Sequence, residues 1–86
     1  MKKIIWLPHA RIRLLERGIR EELVEKAVTD PDQVLIYSRN KIFHKIYVDH
    51  LRNKKYLLRV ITEDLMAETV IISVYRTSKI KKYWRG

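Results

Sequence analysis

The fold is decided by the stretch Thr69-Val70-Ile71-Ile72-Ser73-Val74-Tyr75-Arg76-Thr77-Ser78-Lys79, the longest run of strand-forming residues in the chain. β-Branched and aromatic residues dominate this stretch, and it contains neither proline nor glycine. Such side chains fit a pleated surface that has neighbours to pack against. The stretch therefore predicts a central β-strand that is buried on at least one face.

The chain becomes strongly basic where this strand ends. No carboxylate occurs after Glu68, and two aromatic residues, Tyr83 and Trp84, stand among cations; the cations are Arg76, Lys79, Lys81, Lys82 and Arg85. A rigid strand that ends in cations and aromatic rings is typical of a binding surface for an anion. We expect phosphate to be the first candidate.

Three shorter segments before this strand are also predicted to be strands: Val34 to Tyr37, Lys41 to Asp49 and Tyr56 to Glu63. Short turns separate them, which predicts antiparallel pairing. A period of two then divides the side chains between two faces. The face towards the helices is predicted to carry Ile42, Ile46, Val48, Leu58, Val60, Val70, Ile72 and Val74. The opposite face is predicted to carry Lys45, Tyr47, Arg59, Ser73 and Tyr75.

Two short helices are predicted ahead of the strands. The first would begin at Pro8, run to about Arg17 and stop at Gly18; the residues that share its apolar face are Leu7, Arg11, Leu14 and Leu15. The second would begin near Glu21 and bury the stripe Leu23, Val24, Ala27 and Val28. The segment from Ile4 to Leu7 is either an edge strand or a cover for the core. The predicted fold is α+β, with an N-terminal helical hairpin on a four-stranded antiparallel sheet and a basic C-terminal segment.

Composition favours a small basic protein with an anionic partner. The 86 residues predict a single domain over residues 1–86, and 19 Lys and Arg against 10 Asp and Glu give a formal charge of +9. The absence of cysteine suits a reducing compartment. Apolar runs are too short for a membrane span, so we expect a cytoplasmic protein that does not enter a membrane.

Several kinds of chemistry are excluded by the residues that are missing. With Gly18 and Gly86 as its only glycines, the chain cannot form a glycine-rich phosphate loop, so no nucleotide cofactor is expected. The histidines lie far apart, without carboxylates at a metal-ligand spacing, and no metal site is predicted. What remains is metal-free chemistry on a phosphodiester.

RNA can be cut without a metal ion because its own 2′-hydroxyl attacks the phosphate. The protein must then move protons and neutralise the developing charge. The candidate cations are Arg59, Arg76, Lys79 and Lys82, and the candidate proton carriers are His9, His44, Tyr75 and Tyr83. Structural roles stay open: Arg59 could pair with Glu63, Asp64 or Glu68, and Tyr47 and Tyr75 could be cross-strand packing partners.

Short motifs along most of the chain resemble a group of small prokaryotic domains of unknown function related to the BrnT toxins. These motifs are Pro8-His9-Ala10-Arg11, Arg17-Gly18-Ile19, Asp30-Pro31 and Val74-Tyr75-Arg76-Thr77-Ser78-Lys79 followed by Lys82-Tyr83. BrnT proteins are grouped with the RelE and ParE toxins. The resemblance implies an α+β fold and, in BrnT-like and RelE-like relatives, a metal-free ribonuclease that a separate antitoxin neutralises. Matched by position, the candidates are His9, Arg59, Arg76, Lys79, Lys82 and Tyr83.

The leading hypothesis is a metal-independent ribonuclease of a type II toxin-antitoxin system. Its predicted catalytic residues are His9, Arg59, Arg76 and Tyr83, with Arg59 and Arg76 together holding the scissile phosphate. The residues predicted to bind RNA are Lys45, Lys79, Lys82 and Arg85. The expected partners are RNA and an acidic antitoxin. The alternatives are a non-catalytic nucleic-acid-binding or protein-interaction module on the same fold, and a gyrase-directed toxin like ParE.

Overall fold

Five strands form one mixed sheet in the order β1-β5-β4-β3-β2. The computed structural model describes residues 2–86. In chain order, its elements are β1 (Lys3–Trp6), α1 (Pro8–Glu16), α2 (Glu21–Thr29), β2 (Gln33–Tyr37), β3 (Asn40–Asp49), β4 (Lys54–Asp64), β5 (Glu68–Thr77) and α3 (Ile80–Tyr83). Strands β2 to β5 form the predicted antiparallel meander. None of the helices within residues 2–86 is long and apolar enough to cross a membrane.

The prediction of a four-stranded, fully antiparallel sheet is wrong, because the N-terminal segment adds a fifth strand. Strand β1 pairs in parallel with β5, and its register aligns Ile4 with Thr69 and Trp6 with Ile71. This pairing gives β5 a neighbour on each side, so the strand richest in β-branched residues lies in the sheet interior. Of the two predicted roles for the N-terminal apolar segment, the structure selects the edge strand.

The predicted helical hairpin is also wrong, although both helices exist. Helix α1 packs on β5, whereas α2 packs on β3 and β4. Only Leu7 separates β1 from α1, so the pairing of β1 with β5 carries α1 over the β5 side of the sheet. The helices therefore cover different strands and do not form one packed hairpin.

Gly18 ends α1 as predicted and turns the chain into the core. Its φ is +61°, a left-handed conformation that glycine adopts without a steric penalty. The Gly18 N–H donates to the Leu15 carbonyl at 3.2 Å and the Ile19 N–H donates to the Leu14 carbonyl at 3.1 Å, which is the Schellman pattern. Ile19 and Leu14 both belong to the buried core. Leu15 was predicted on the same apolar face, but it is exposed.

The core between the helices and the sheet contains residues of α1, α2, β3, β4 and β5 and of the turn between the two helices. Its buried members are Ala10, Leu14, Ile19, Val24, Ala27, Phe43, Leu58, Val60, Ile71 and Val74. On β3 the predicted face was inverted: Phe43 pairs with Val60 in the core, and Lys45, which pairs with Leu58, lies on the same side. Both faces of β3 carry apolar side chains, so alternation alone did not identify the face under the helices.

A β-bulge explains a second difference in face assignment. Ile61 pairs with Ser73 and Thr62 with Ile71, so Ile72 is an extra residue on β5. The bulge reverses the alternation, and Ile71 joins Val74 in the core in place of Ile72.

Candidate functional site on the open face of the sheet

Four polar side chains form a row across the face of the sheet opposite α1 and α2. Gln33 on β2 pairs with His44 on β3, His44 pairs with Arg59 on β4, and Arg59 pairs with Tyr75 on β5. Directly paired residues of antiparallel strands project on the same face. We call Gln33, His44, Arg59 and Tyr75 the Arg59 row.

Hydrogen bonds connect the whole row. The Nε of Arg59 donates to Nε2 of His44 at 3.0 Å, and Nη1 of Arg59 donates to the Tyr75 hydroxyl. Because Nε2 of His44 accepts, the proton of a neutral imidazole must be on Nδ1. Nδ1 lies 3.1 Å from Oε1 of Gln33 and donates to it.

His44 is held in its neutral form. The side chain is fully buried, and burial together with the Arg59 charge lowers the pKa of His44 from 6.5 to about 4. A protonated imidazole would also lose its acceptor for the Nε–H of Arg59. At neutral pH His44 therefore positions Arg59 and carries no charge.

The Arg59 guanidinium is a nearly buried charge without a carboxylate partner among the described residues. Arg59 is only 8% exposed, and none of the ion pairs within residues 2–86 includes it. Pairing with Glu63, Asp64 or Glu68, the structural alternative, does not occur there. Every fully buried side-chain nitrogen within residues 2–86 has a partner. Nη2 of Arg59 has no hydrogen-bond partner there, so solvent must reach it, and an anion could accept a bond from it.

Residues 78–86, the C-terminal segment, lie across the Arg59 row. The Tyr83 ring covers the guanidinium, with its centroid 4.3 Å from Cζ of Arg59, and Trp84 stacks on His44 with ring centroids 6.1 Å apart. The backbone N–H of Arg85 donates to Oε1 of Gln33 at 3.1 Å, and Nε2 of Gln33 donates to the Arg85 carbonyl. Gln33 thus binds both the buried imidazole and the segment above it.

The structure brings together some of the predicted site residues. Arg59 and Tyr83 are in contact, and the segment that carries Tyr83 also carries exposed Lys79, Lys82 and Arg85. His44 and Tyr75, predicted as possible proton carriers, belong to the same site. Sequence reasoning missed Gln33, which has neither charge nor reactivity to draw attention. Only its pairing with His44 could have indicated it.

Other predicted residues lie elsewhere. His9 is exposed in the first turn of α1. Arg76 pairs with Leu58 on the helix side of the sheet, so Arg76 and Arg59 project from opposite faces and do not form the predicted joint clamp. Lys45 also lies on the helix side, and its Nζ donates to the Asp30 carbonyl at 2.8 Å and lies 3.4 Å from Oδ1 of Asp32. Within residues 2–86, no group of three or more His, Asp and Glu side chains is arranged to hold a metal ion.

One family model matches the chain. It describes a domain of unknown function, DUF4258, and it covers residues 6–76, which takes in α1, α2 and strands β2 to β4 and ends within β5. Neither the curated proteins nor the solved structures include a significant match. The matched range spans most of the chain, and the chain therefore belongs to the DUF4258 family.

Proposed function

We propose that the protein binds single-stranded RNA across the C-terminal segment, with one phosphate on Arg59. The observation that carries the proposal is the Arg59 guanidinium, which is nearly buried and has neither a carboxylate partner nor a hydrogen-bond partner for Nη2 within residues 2–86. A fixed guanidinium at low dielectric attracts an anion more strongly than a mobile surface cation does. Phosphate matches its planar set of donors.

The surroundings of Arg59 support a nucleic acid as the source of that phosphate. Residues 78–86 contain four cations and no carboxylate, so positive potential extends beyond the guanidinium. Trp84 and Tyr83 are half-buried in the same segment, which leaves part of each ring accessible to an unpaired base. Proteins that bind single strands without reading their sequence combine cations along the backbone with aromatic rings on which the bases stack.

The second part of the proposal is that the protein cleaves the RNA that it binds. We propose a metal-independent ribonuclease of toxin type, related to BrnT, in which the RNA 2′-hydroxyl attacks the phosphate held by Arg59. The observation that favours it is the contact of Arg59 with Tyr83, two residues that the toxin resemblance singled out, beside the Tyr75 hydroxyl. Arg59 would stabilise the charge of the transition state, and the bond from phosphorus to the 5′ oxygen would break as a tyrosine hydroxyl passes a proton to that oxygen. The proton released by the 2′-hydroxyl would pass through solvent to the tyrosinate and restore the hydroxyl. An acidic antitoxin would cover the same cations.

Binding is tested by titrating a fluorescent single-stranded RNA at several salt concentrations. We expect the logarithm of the association constant to fall with the logarithm of salt by about 0.7 for each phosphate contact. Arg59→Met should weaken binding by about tenfold or more, the usual cost of losing a charged hydrogen bond. Lys79→Ala and Lys82→Ala should each weaken binding and reduce the salt dependence.

The matched control is Arg39→Ala, which removes an exposed cation in the turn between β2 and β3. It should change RNA affinity by less than about twofold, since Arg39 lies outside the Arg59 row and the C-terminal segment and salt screens exposed charges. Circular dichroism confirms that each variant is folded. Equal losses for Arg39→Ala, Lys79→Ala and Lys82→Ala would mean that the positive charge acts without a site, and would overturn the proposal.

Cleavage is tested separately, with RNA and protein incubated in a metal chelator. The products should end in 2′,3′-cyclic phosphate, and Arg59→Met should slow their formation by roughly 10²-fold or more. Tight binding without fragments would identify a non-catalytic RNA-binding module and would leave the binding proposal standing.

A further inference from the structure

A cleft of about 530 Å³ lies on the helix side of the sheet, between the start of α2 and the turn that joins β3 to β4. Its volume falls within the range of small-ligand sites, about 300–1,000 Å³. Its lining includes Arg76 from β5, Tyr47 from β3 and Arg20 and Lys26 beside and within α2. The Arg59 row is on the other face of the sheet, so the cleft is a separate site.

The cleft has an excess of unpaired positive charge. Arg52 and Asp49 neutralise each other, with Nη1 2.7 Å from Oδ2. None of the ion pairs within residues 2–86 includes Arg20, Lys26 or Arg76, and Glu22 is the one other carboxylate of the lining. Three unpaired cations against one carboxylate favour an anionic ligand.

Arg76 is the fixed cation of this cleft. Its Cζ lies 5.2 Å from the ring centroid of Tyr56, and Tyr56 stacks on Tyr47 with ring centroids 5.9 Å apart. Burial raises the pKa of Tyr47, and the Arg76 guanidinium beside the hydroxyl opposes part of this rise. Two aromatic rings therefore orient Arg76 without neutralising it.

The rest of the lining is apolar. Ile19, Leu23, Val48 and Leu51 line the cleft, and Leu51 is 97% exposed. A ligand that satisfies both parts of the cleft must join an anionic group to a flat or apolar body. A second pocket, of about 260 Å³, lacks this character because Asp64 pairs with both Lys2 and Lys41.

We propose that this cleft binds a small organic phosphate with an aromatic body, of the class of nucleoside monophosphates. Its phosphate contacts Arg76 and the nearby cations Arg20 and Lys26, and its base packs on the apolar wall. The phosphate is held by side chains, so no glycine-rich loop is needed.

Calorimetric titration with adenosine 5′-monophosphate, adenosine and inorganic phosphate tests this proposal. The monophosphate should bind at least tenfold more tightly than either of its parts, because each part satisfies only one side of the cleft. Arg76→Ala should weaken monophosphate binding by about tenfold or more, and Arg20→Ala, an exposed residue whose loss leaves the core intact, should weaken it several-fold. Arg39→Ala, outside the cleft, should have no effect.

Any of four results would overturn the proposed binding of a monophosphate in this cleft. Equal binding of the monophosphate and inorganic phosphate would show that the apolar wall takes no part, and binding that survives both Arg76→Ala and Arg20→Ala would place the ligand elsewhere. Absence of binding at millimolar monophosphate, or capture by vesicles of anionic phospholipid in its place, would also overturn the proposal. None of these results bears on RNA binding at Arg59, which is measured with RNA and with variants of Arg59, Lys79 and Lys82.

Discussion

At the scale of single residues, His44 fixes the position of the Arg59 guanidinium, and Arg59 helps to keep His44 unprotonated. The imidazole supplies the acceptor that the Nε–H of Arg59 needs, and the guanidinium charge opposes protonation of the imidazole. A carboxylate in place of His44 would pair with Arg59 and neutralise it. A neutral histidine instead satisfies the donor and leaves the positive charge intact, which an anion site requires.

The pH dependence of stability should report the state of His44. Its pKa is about 4 in the folded protein and near 6.5 in the unfolded chain. Between these values the unfolded chain binds more protons, so the free energy of unfolding should rise from pH 4.5 to pH 6.5 and then level off. Urea unfolding at several pH values measures this. In His44→Gln, which cannot titrate, the rise should be smaller.

Asp49 and Asp64 do not explain a rise in that window. Partner cations lower the pKa values of Asp49 and Asp64 below 3.8 in the folded protein, so their contribution is lost only at more acidic pH. A His44→Gln protein with the same pH profile as the unmodified protein would show that His44 is not the titrating group.

At the scale of elements, the C-terminal segment depends on its contacts. Helix α3 has four residues, none fully buried and none capped by a side chain, and a helix this short is unstable by itself. The segment stays in place because Gln33 bonds to Arg85 at two points and because Tyr83 and Trp84 stack on the Arg59 row. Gln33 therefore controls how firmly the segment is held.

Gln33→Ala should loosen the C-terminal segment and leave the sheet intact. Trypsin cleavage after Lys81 and Lys82 should become several times faster, because the segment loses both bonds to Arg85 and opens more often. Mass spectrometry over a time course measures the rate. Cleavage after Lys55, in β4, serves as the internal control and should not accelerate. Unchanged cleavage at both lysines would mean that Gln33 does not hold the segment.

The sequence predicted elements better than their arrangement. The limits of α1, the start of α2 and the interior position of β5 follow from proline, glycine, the glutamates of a first helical turn and β-branched residues, whose effects are local. The face of β3 could not be assigned because Ile42 and Phe43 are both apolar and residues 78–86 cover the second face. The bulge at Ile72 and the parallel pairing of β1 depend on contacts between distant parts of the chain.

The candidate site was also predictable only in part, because its individual residues can be recognised in the sequence but their contacts cannot. Arg59, Tyr83, His44 and Tyr75 all drew attention through charge or reactivity, but the row they form depends on the register of four strands. The prediction that Arg59 and Arg76 hold one phosphate together was avoidable. The period of two that places Tyr75 beside Arg59 also places Arg76 on the other face of the sheet.

At the scale of the whole molecule, charge is arranged differently on the two sides of the sheet. Six of the ten carboxylates lie between Glu16 and Asp32, and cations are paired with them there, as in Arg11 with Glu21 and Lys45 with Asp32. The C-terminal segment has no carboxylate, and the Arg59 charge lies beneath it. A patch of positive potential without carboxylates therefore lies on the face where we place the RNA, separate from the unpaired cations of the cleft on the helix side.

The two tryptophans give the most direct test of that placement. Trp84 stacks on the Arg59 row, whereas Trp6 packs against the core on the helix side, with Cζ of Arg11 4.8 Å from its ring centroid. A short single-stranded RNA is titrated into the ¹⁵N-labelled protein while both indole N–H signals are followed by NMR. We expect the Trp84 signal to move until the RNA is saturating and the Trp6 signal to stay in place. Movement of the Trp6 signal with the Trp84 signal unchanged would place the RNA on the helix side and contradict RNA binding across the C-terminal segment.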